Sequence, residues 1–160
     1  MPRKTSSERA AESRADARAD AWLALDRQLC FALYSASLAM TRLYKPLLAP
    51  LGLTYPQYLV MLVLWEGDGL TVKALAERLG QDSGSVTPVV KRLEAEGLVL
   101  RNRDPRDERN LAVTLTPQGR ALRERGLKVN QAFAKACGLS TQALAELRAS
   151  LNQVRARLQG

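Results

Sequence analysis

The chain has 160 residues, 46% hydrophobic and only 5% aromatic, which suits a single helical domain with a core of its own. It carries 24 Lys and Arg against 16 Asp and Glu, and the net charge of +8 favours an anionic partner. There is no histidine, which excludes Ser-His-Asp and Cys-His nucleophiles and nearly all zinc sites; the widely separated Cys30 and Cys137 make neither a CxxC redox pair nor a four-thiolate site, so neither an enzyme, a metal nor a cofactor is expected.

Residues 1–20 alternate charge with alanine and offer almost nothing to bury, so a flexible tail is expected there. Residues 22–48 read as one long helix, with Leu29, Leu33, Ala36, Met40, Leu43 and Leu47 on one apolar stripe. The uncharged run 46–65 is long enough for a membrane span, but Pro46, Pro50, Gly52 and Pro56 interrupt it. Two buried helical segments are expected instead, the second capped by Thr54 or Tyr55 with Pro56 in its first turn. No N-terminal apolar signal segment is present, and a cytoplasmic protein with reduced thiols follows.

Residues 70–115 organise the rest. Thr71 can cap a short helix with Val72, Leu75, Ala76 and Leu79 inward and Gly80 at its end. A second helix begins near Asp82 or Ser83, buries Val86, Val89, Val90 and Leu93, and stops at Gly97. Two short helices joined by a tight polar turn make a helix-turn-helix, whose second helix enters the DNA major groove. Ser83, Ser85, Thr87, Lys91 and Arg92 would then face bases and phosphates. Residues 98–100 and 111–115 read as strands around a polar loop, 101–110, and such a wing suits an arginine reaching the minor groove. A plain α+β fragment with a solvated charged loop is the competing reading. Residues 70–115 hold eight basic and seven acidic side chains, so placement rather than bulk charge must carry DNA binding. Beyond the wing, Thr116-Pro117 opens a helix to about Cys137. Ser140 or Thr141 caps a last one with Leu144, Leu147, Leu151, Val154 and Leu158 in a stripe. The long first helix and the terminal helices exceed what one small core needs, and a two-fold dimer would use them.

Asp104-x-Arg106-Asp107-x-Arg109, after Lys91-Arg92-Leu93-Glu94-x-x-Gly97-Leu98-Val99, resembles the winged helix-turn-helix of the MarR family of bacterial transcription regulators, over residues 22–158. The resemblance implies a mainly α (α+β) homodimer on pseudo-palindromic double-stranded operator DNA. It implies a single domain over 21–160, with 70–115 as the reader and 22–69 and 117–158 as dimerisation and sensor helices. Arg106 takes the minor-groove role by position, Arg103 stands beside it, and Asp107 with Arg109 would brace the wing.

Residues 25–34 and 53–58 are similar to the organic-hydroperoxide-sensing OhrR-type branch. That resemblance implies a reactive Cys30, hydrogen-bonding tyrosines at Tyr44 and Tyr55, an organic hydroperoxide as effector, and a second sensing cysteine at Cys137 that forms a disulfide with Cys30. A thiolate is the reactive form, and a helix starting near Asp26 would put Cys30 in its first turn, where the dipole favours the anion. Along one helix Tyr44 stands about 21 Å from Cys30, so a shared site requires the partner's tyrosine. Phe31, Leu33, Met61 and Trp65 would favour an organic peroxide if they line the pocket. Cysteines as small buried hydrophobes and tyrosines as core aromatics remain the bland readings. A repressor released by a small aromatic ligand, or a thiol peroxidase, are the functional alternatives.

Overall fold

The computed structural model describes residues 22–104 and 107–159. The expected tail, and the side-chain roles given to Arg106, Asp107 and Arg109, fall outside the described residues and side chains. The chain divides between Arg42 and Leu43 into two compact units.

In the first unit the single helix expected over 22–48 is broken. Trp22 and Leu23 are helical, Leu25–Arg27 is a 3-10 turn, and Ala24 and Gln28 are extended. Trp22 and Leu23 are 78% and 82% exposed, and the Gln28 amide folds back onto the carbonyls of Trp22 and Ala24. The continuous helix, α1, is Leu29–Leu48. Its stripe is open in one chain, for Leu29, Leu33 and Met40 are all exposed.

Pro46 does not end α1, which runs two residues further. Proline withholds only its own N–H, and so close to the C-terminus little of the hydrogen-bond ladder depends on it. The chain turns instead through a 3-10 segment, Ala49–Leu51, closed by Gly52 at φ 70°. Thr54 then starts α2 (Tyr55–Glu66) with a capping box: the Thr54 hydroxyl accepts from the Gln57 N–H at 3.4 Å, and the Gln57 carbonyl oxygen accepts from the Thr54 N–H at 2.8 Å. Tyr58, Val60, Met61, Val63 and Leu64 are buried, which makes α2 the core helix expected.

The reader follows as β1 (Leu70–Thr71), α3 (Val72–Leu79), α4 (Ser83–Ala95), β2 (Val99–Asp104) and β3 (Asp107–Leu115). The sheet is antiparallel in the order β1-β3-β2, with Leu70 opposite Val113 and Val99 opposite Leu115. Two residues are too few to show an alternating pattern, so β1 has no signature in the sequence. The loop expected over 101–110 is mostly strand, since Arg101, Asn102 and Arg103 pair with Val113, Ala112 and Leu111. Main-chain pairing continues past the core, where polar side chains can stand on the solvent side of the ribbon.

The helix expected from Thr116 to Cys137 is two, α5 (Pro117–Ala121) and α6 (Arg123–Cys137), divided at Leu122. Each docks on its own close contact. A Cβ on Gly119 would stand 2.1 Å from the Leu98 carbonyl oxygen, and one on Gly126 would stand 2.5 Å from the Trp65 ring. Ser140 caps α7 (Thr141–Leu158), in which no residue is buried; Leu147, Leu151 and Leu158 lie open in the single chain. Among the described residues no single helix is long and apolar enough to cross a membrane.

Candidate functional site

The helix-turn-helix assembles from local chemistry. The Thr71 hydroxyl accepts from the Ala74 N–H at 3.1 Å, and Gly80, at φ 64°, closes α3 with its N–H on the carbonyls of Ala76 and Glu77. Asp82 caps α4 twice over: one carboxylate oxygen accepts from the Ser85 N–H at 2.8 Å and the other from the Ser85 hydroxyl at 2.7 Å. Those bonds, the hydroxyl's foremost, hold the Asp82 carboxyl below its ordinary range. Leu75, Ala76, Val86, Val90 and Leu93 are buried between the helices and the sheet, with Val89 half-buried.

Opposite that core, Ser83, Ser85, Lys91 and Arg92 are exposed and Thr87 is half-buried. Ser85 and Thr87 are less free than the sequence implies. Their hydroxyl protons go to Asp82 and, at 2.6 Å, to the Ser83 carbonyl. Both hydroxyls therefore have acceptor lone pairs left over. Arg103 is exposed on β2.

Helix and wing are joined by a pair that the sequence reading overlooks. Glu94 accepts from the Arg101 backbone N–H at 3.2 Å and Nε at 2.8 Å, and its Oε2 stands 2.6 Å from the Arg101 terminal nitrogen. The Arg101 guanidinium keeps the Glu94 carboxyl below the usual range. A second staple is Asp68, which the sequence reading also passes over. It accepts from the Leu115 N–H at 2.8 Å and from Arg120 at 2.5 Å, while Arg120 also donates to the Leu115 carbonyl at 2.8 Å. Opposite charges meeting across a helix–strand joint or 52 positions apart leave no periodic signal in the sequence.

The aromatic site lies in the second unit. Tyr44 and Tyr55 have ring centroids 4.7 Å apart; Phe133 stacks on Tyr44 at 4.7 Å, and Tyr58 lies 5.9 Å away. Burial raises the phenols of Tyr44, Tyr55 and Tyr58 above their ordinary value. For Tyr44 the neighbouring phenols add to this, and Cys137 is also close enough to contribute. The phenols are therefore locked as O–H donors at neutral pH. The structure thus brings Tyr44 and Tyr55 together, and Cys137, half-buried as the last residue of α6, lies near enough to Tyr44 to act on its charge. Cys30 belongs to the other unit, where it is exposed and is the second residue of α1. That start, later than Asp26, keeps Cys30 in a first helical turn. Neither cysteine is in a disulfide.

Of the apolar residues expected to face a peroxide, Met61 is wholly buried in the core. Trp65 donates from its ring N–H to the Gly119 carbonyl at 3.0 Å, and with Tyr58, Leu62, Arg123 and Asn130 it walls a cleft of about 230 Å³. Tyr58 itself donates to the Gly126 carbonyl at 3.0 Å.

Residues 53–111 match the MarR family. An organic hydroperoxide resistance transcriptional regulator of Bacillus subtilis is 50% identical over 105 residues, covering 66% of this chain and 71% of that protein. Among solved structures, reduced AbfR bound to DNA is similar at 33% identity and a TM-score of 0.72, over 88% of this chain and 99% of the other. AbfR, a Staphylococcus epidermidis protein, is similar also in a disulfide-formed state, at 34% identity and a TM-score of 0.61 over 87% and 98% of the two chains.

Proposed function

The chain belongs to the MarR family of transcription regulators, which are not enzymes, and from that premise we propose a homodimeric cytoplasmic repressor that leaves its operator when an organic hydroperoxide oxidises Cys30. The observation that carries this reading is the cluster of Tyr44, Tyr55 and Cys137: phenol donors and a second thiol gathered at one place. The hydroperoxide-resistance regulator and the disulfide-formed relative support the same direction.

The chemistry has two steps. The Cys30 thiolate attacks an oxygen of the peroxide O–O bond; that bond breaks, the sulfur becomes a sulfenic acid, and the alkoxide takes a proton and leaves as an alcohol. The Cys137 thiolate then attacks the sulfenic sulfur; the S–O bond breaks as the disulfide forms, and the hydroxide takes a proton and leaves as water. Disulfide closure requires Cα atoms within about 7 Å, and the bond would tie the helices that carry the two thiols to that spacing. The recognition helices of a dimer meet two half-sites about one DNA turn apart, and a change in their separation costs contacts at both. Ser83, Ser85, Thr87, Lys91 and Arg92 meet the major groove, and Arg103 and Arg106 the minor groove, with Asp107 and Arg109 bracing the wing. The exposed leucines of α1 and α7 supply the dimer contact.

Peptide mapping tests the thiol chemistry. Protein treated with one equivalent of cumene hydroperoxide and digested without reductant yields a Cys30–Cys137 cross-linked peptide, and a digest holding only free or over-oxidised Cys30 refutes the pairing. The cleft beside Trp65, with aromatic walls and Arg123 beside Glu66 and Glu124, favours a second reading in which a small aromatic molecule is the effector. Release of Cys30→Ser protein from DNA by salicylate would move the trigger to that cleft.

A further inference from the structure

Gln57 is the buried polar residue among the described residues, 3% exposed, and its amide is used at both ends. Its oxygen accepts from the Thr54 N–H at 2.8 Å, and its nitrogen donates to the two carboxylate oxygens of Glu96, each at 2.9 Å. Thr54 is the N-cap of α2, and Tyr55 is that helix's first residue. Glu96 is the C-cap of α4, its N–H bonded to the Arg92 carbonyl at 2.9 Å. One side chain therefore ties the start of the tyrosine-bearing helix to the end of the recognition helix.

The residue type is informative. A capping box works equally well with glutamate at this position, since only an acceptor is needed. Glutamate, however, has no N–H for Glu96 and would set carboxylate against carboxylate. A glutamine meets both demands, and being buried it has no water to replace either partner.

We propose that Gln57 is a positioning residue that couples the aromatic site to the DNA-reading helix. When Tyr55 is displaced, Thr54 moves with it, and the Gln57 amide carries that movement to Glu96 and the Lys91–Arg92 turn of α4. The proposal rests on the sensor reading above. Coupling between two sites needs a contiguous element that both can bias, and typical couplings change affinity about 5–150-fold.

The test uses the full-length protein on a labelled duplex from upstream of its own gene. Kd is measured before and after one equivalent of cumene hydroperoxide, and the ratio of the two is compared among wild type, Glu96→Ala and Gln57→Glu. Glu96 is exposed and its removal leaves the capping box intact, so Glu96→Ala guards against a folding failure in the buried variant. Glu96→Ala is expected to keep the reduced Kd within about threefold of wild type, and both variants are expected to be oxidised at the wild-type rate by thiol titration. Their Kd ratio should fall at least fivefold, at the low end of the coupling range. A weakened reduced complex with the wild-type ratio would make Gln57 a structural staple and overturn the proposal. A wild-type ratio near one would overturn the sensor reading and the relay with it; a wild-type ratio above five that both variants preserve overturns the relay alone.

Discussion

Glu94 and Arg101 make a partly buried ion pair between the recognition helix and the wing, and its removal has a calculable cost. The side chains are 31% and 27% exposed, so solvent screens them incompletely. Exposed pairs contribute about 0–1 kcal/mol, and breaking a fully buried pair costs about 3–5 kcal/mol. With charge-assisted hydrogen bonds at 2.8 and 3.2 Å, a coupling of about 1–2 kcal/mol is expected between those limits. The assay is a double-mutant cycle of Glu94→Ala, Arg101→Ala and the double variant by urea unfolding, at one fixed protein concentration because a dimer's stability depends on it. The sign with pH follows from the depressed Glu94 carboxyl. A group whose pKa is lower folded than unfolded contributes fully above its unfolded value, about 4.3 for glutamate, and loses that contribution as pH falls through the folded value. The coupling should therefore be intact at pH 7 and fade below about pH 4. A coupling under about 0.3 kcal/mol at pH 7, or one unchanged on acidification to pH 3, would refute the reasoning.

Gly119→Ala forces a Cβ to 2.1 Å from a backbone oxygen that no rotamer can move. It is expected to cost about 2–3 kcal/mol and lower Tm by about 4–10 °C in scanning calorimetry. Ionisation followed at 295 nm should show Tyr44, Tyr55 and Tyr58 titrating above the ordinary phenol value of about 10, because burial raises all three. Since their folded values exceed the unfolded one, the stability they contribute is complete below pH 10 and is lost as pH rises through the folded values. Tyrosinate absorbance already half developed at pH 10, as for unburied phenols, would contradict the buried cluster. Lys91→Ala and Arg92→Ala should each weaken operator and non-operator DNA alike and reduce the slope of log K against log salt by about one.

The helix-turn-helix of the reader is legible because its signals are local. Thr71, Gly80 and Asp82 are caps whose chemistry acts within one helical turn, and the periodic valines and leucines of α4 fix which face is buried. The errors share a cause, which is that tertiary contacts decided them. The wing strands extend through polar residues because backbone pairing needs no apolar side chain, and α5 and α6 part at Leu122 because Gly119 and Gly126 dock on different neighbours. Tyr44, Tyr55 and Cys137 could be matched one by one through resemblance, yet their approach to one another is a property of the fold alone. Gln57 could be seen as half of a capping box, but its bond to Glu96 spans 39 positions and leaves no local trace.

The central claim is that oxidation at Cys30 governs DNA release, and fluorescence anisotropy on a duplex from upstream of the protein's own gene tests it most directly. Reduced wild type should bind tightly, lose the duplex on addition of one equivalent of cumene hydroperoxide and regain it with dithiothreitol, while Cys30→Ser stays bound throughout. Binding that peroxide leaves unchanged in wild type, or removes equally from Cys30→Ser, would contradict the thiol switch and leave a MarR-family DNA binder with a different trigger.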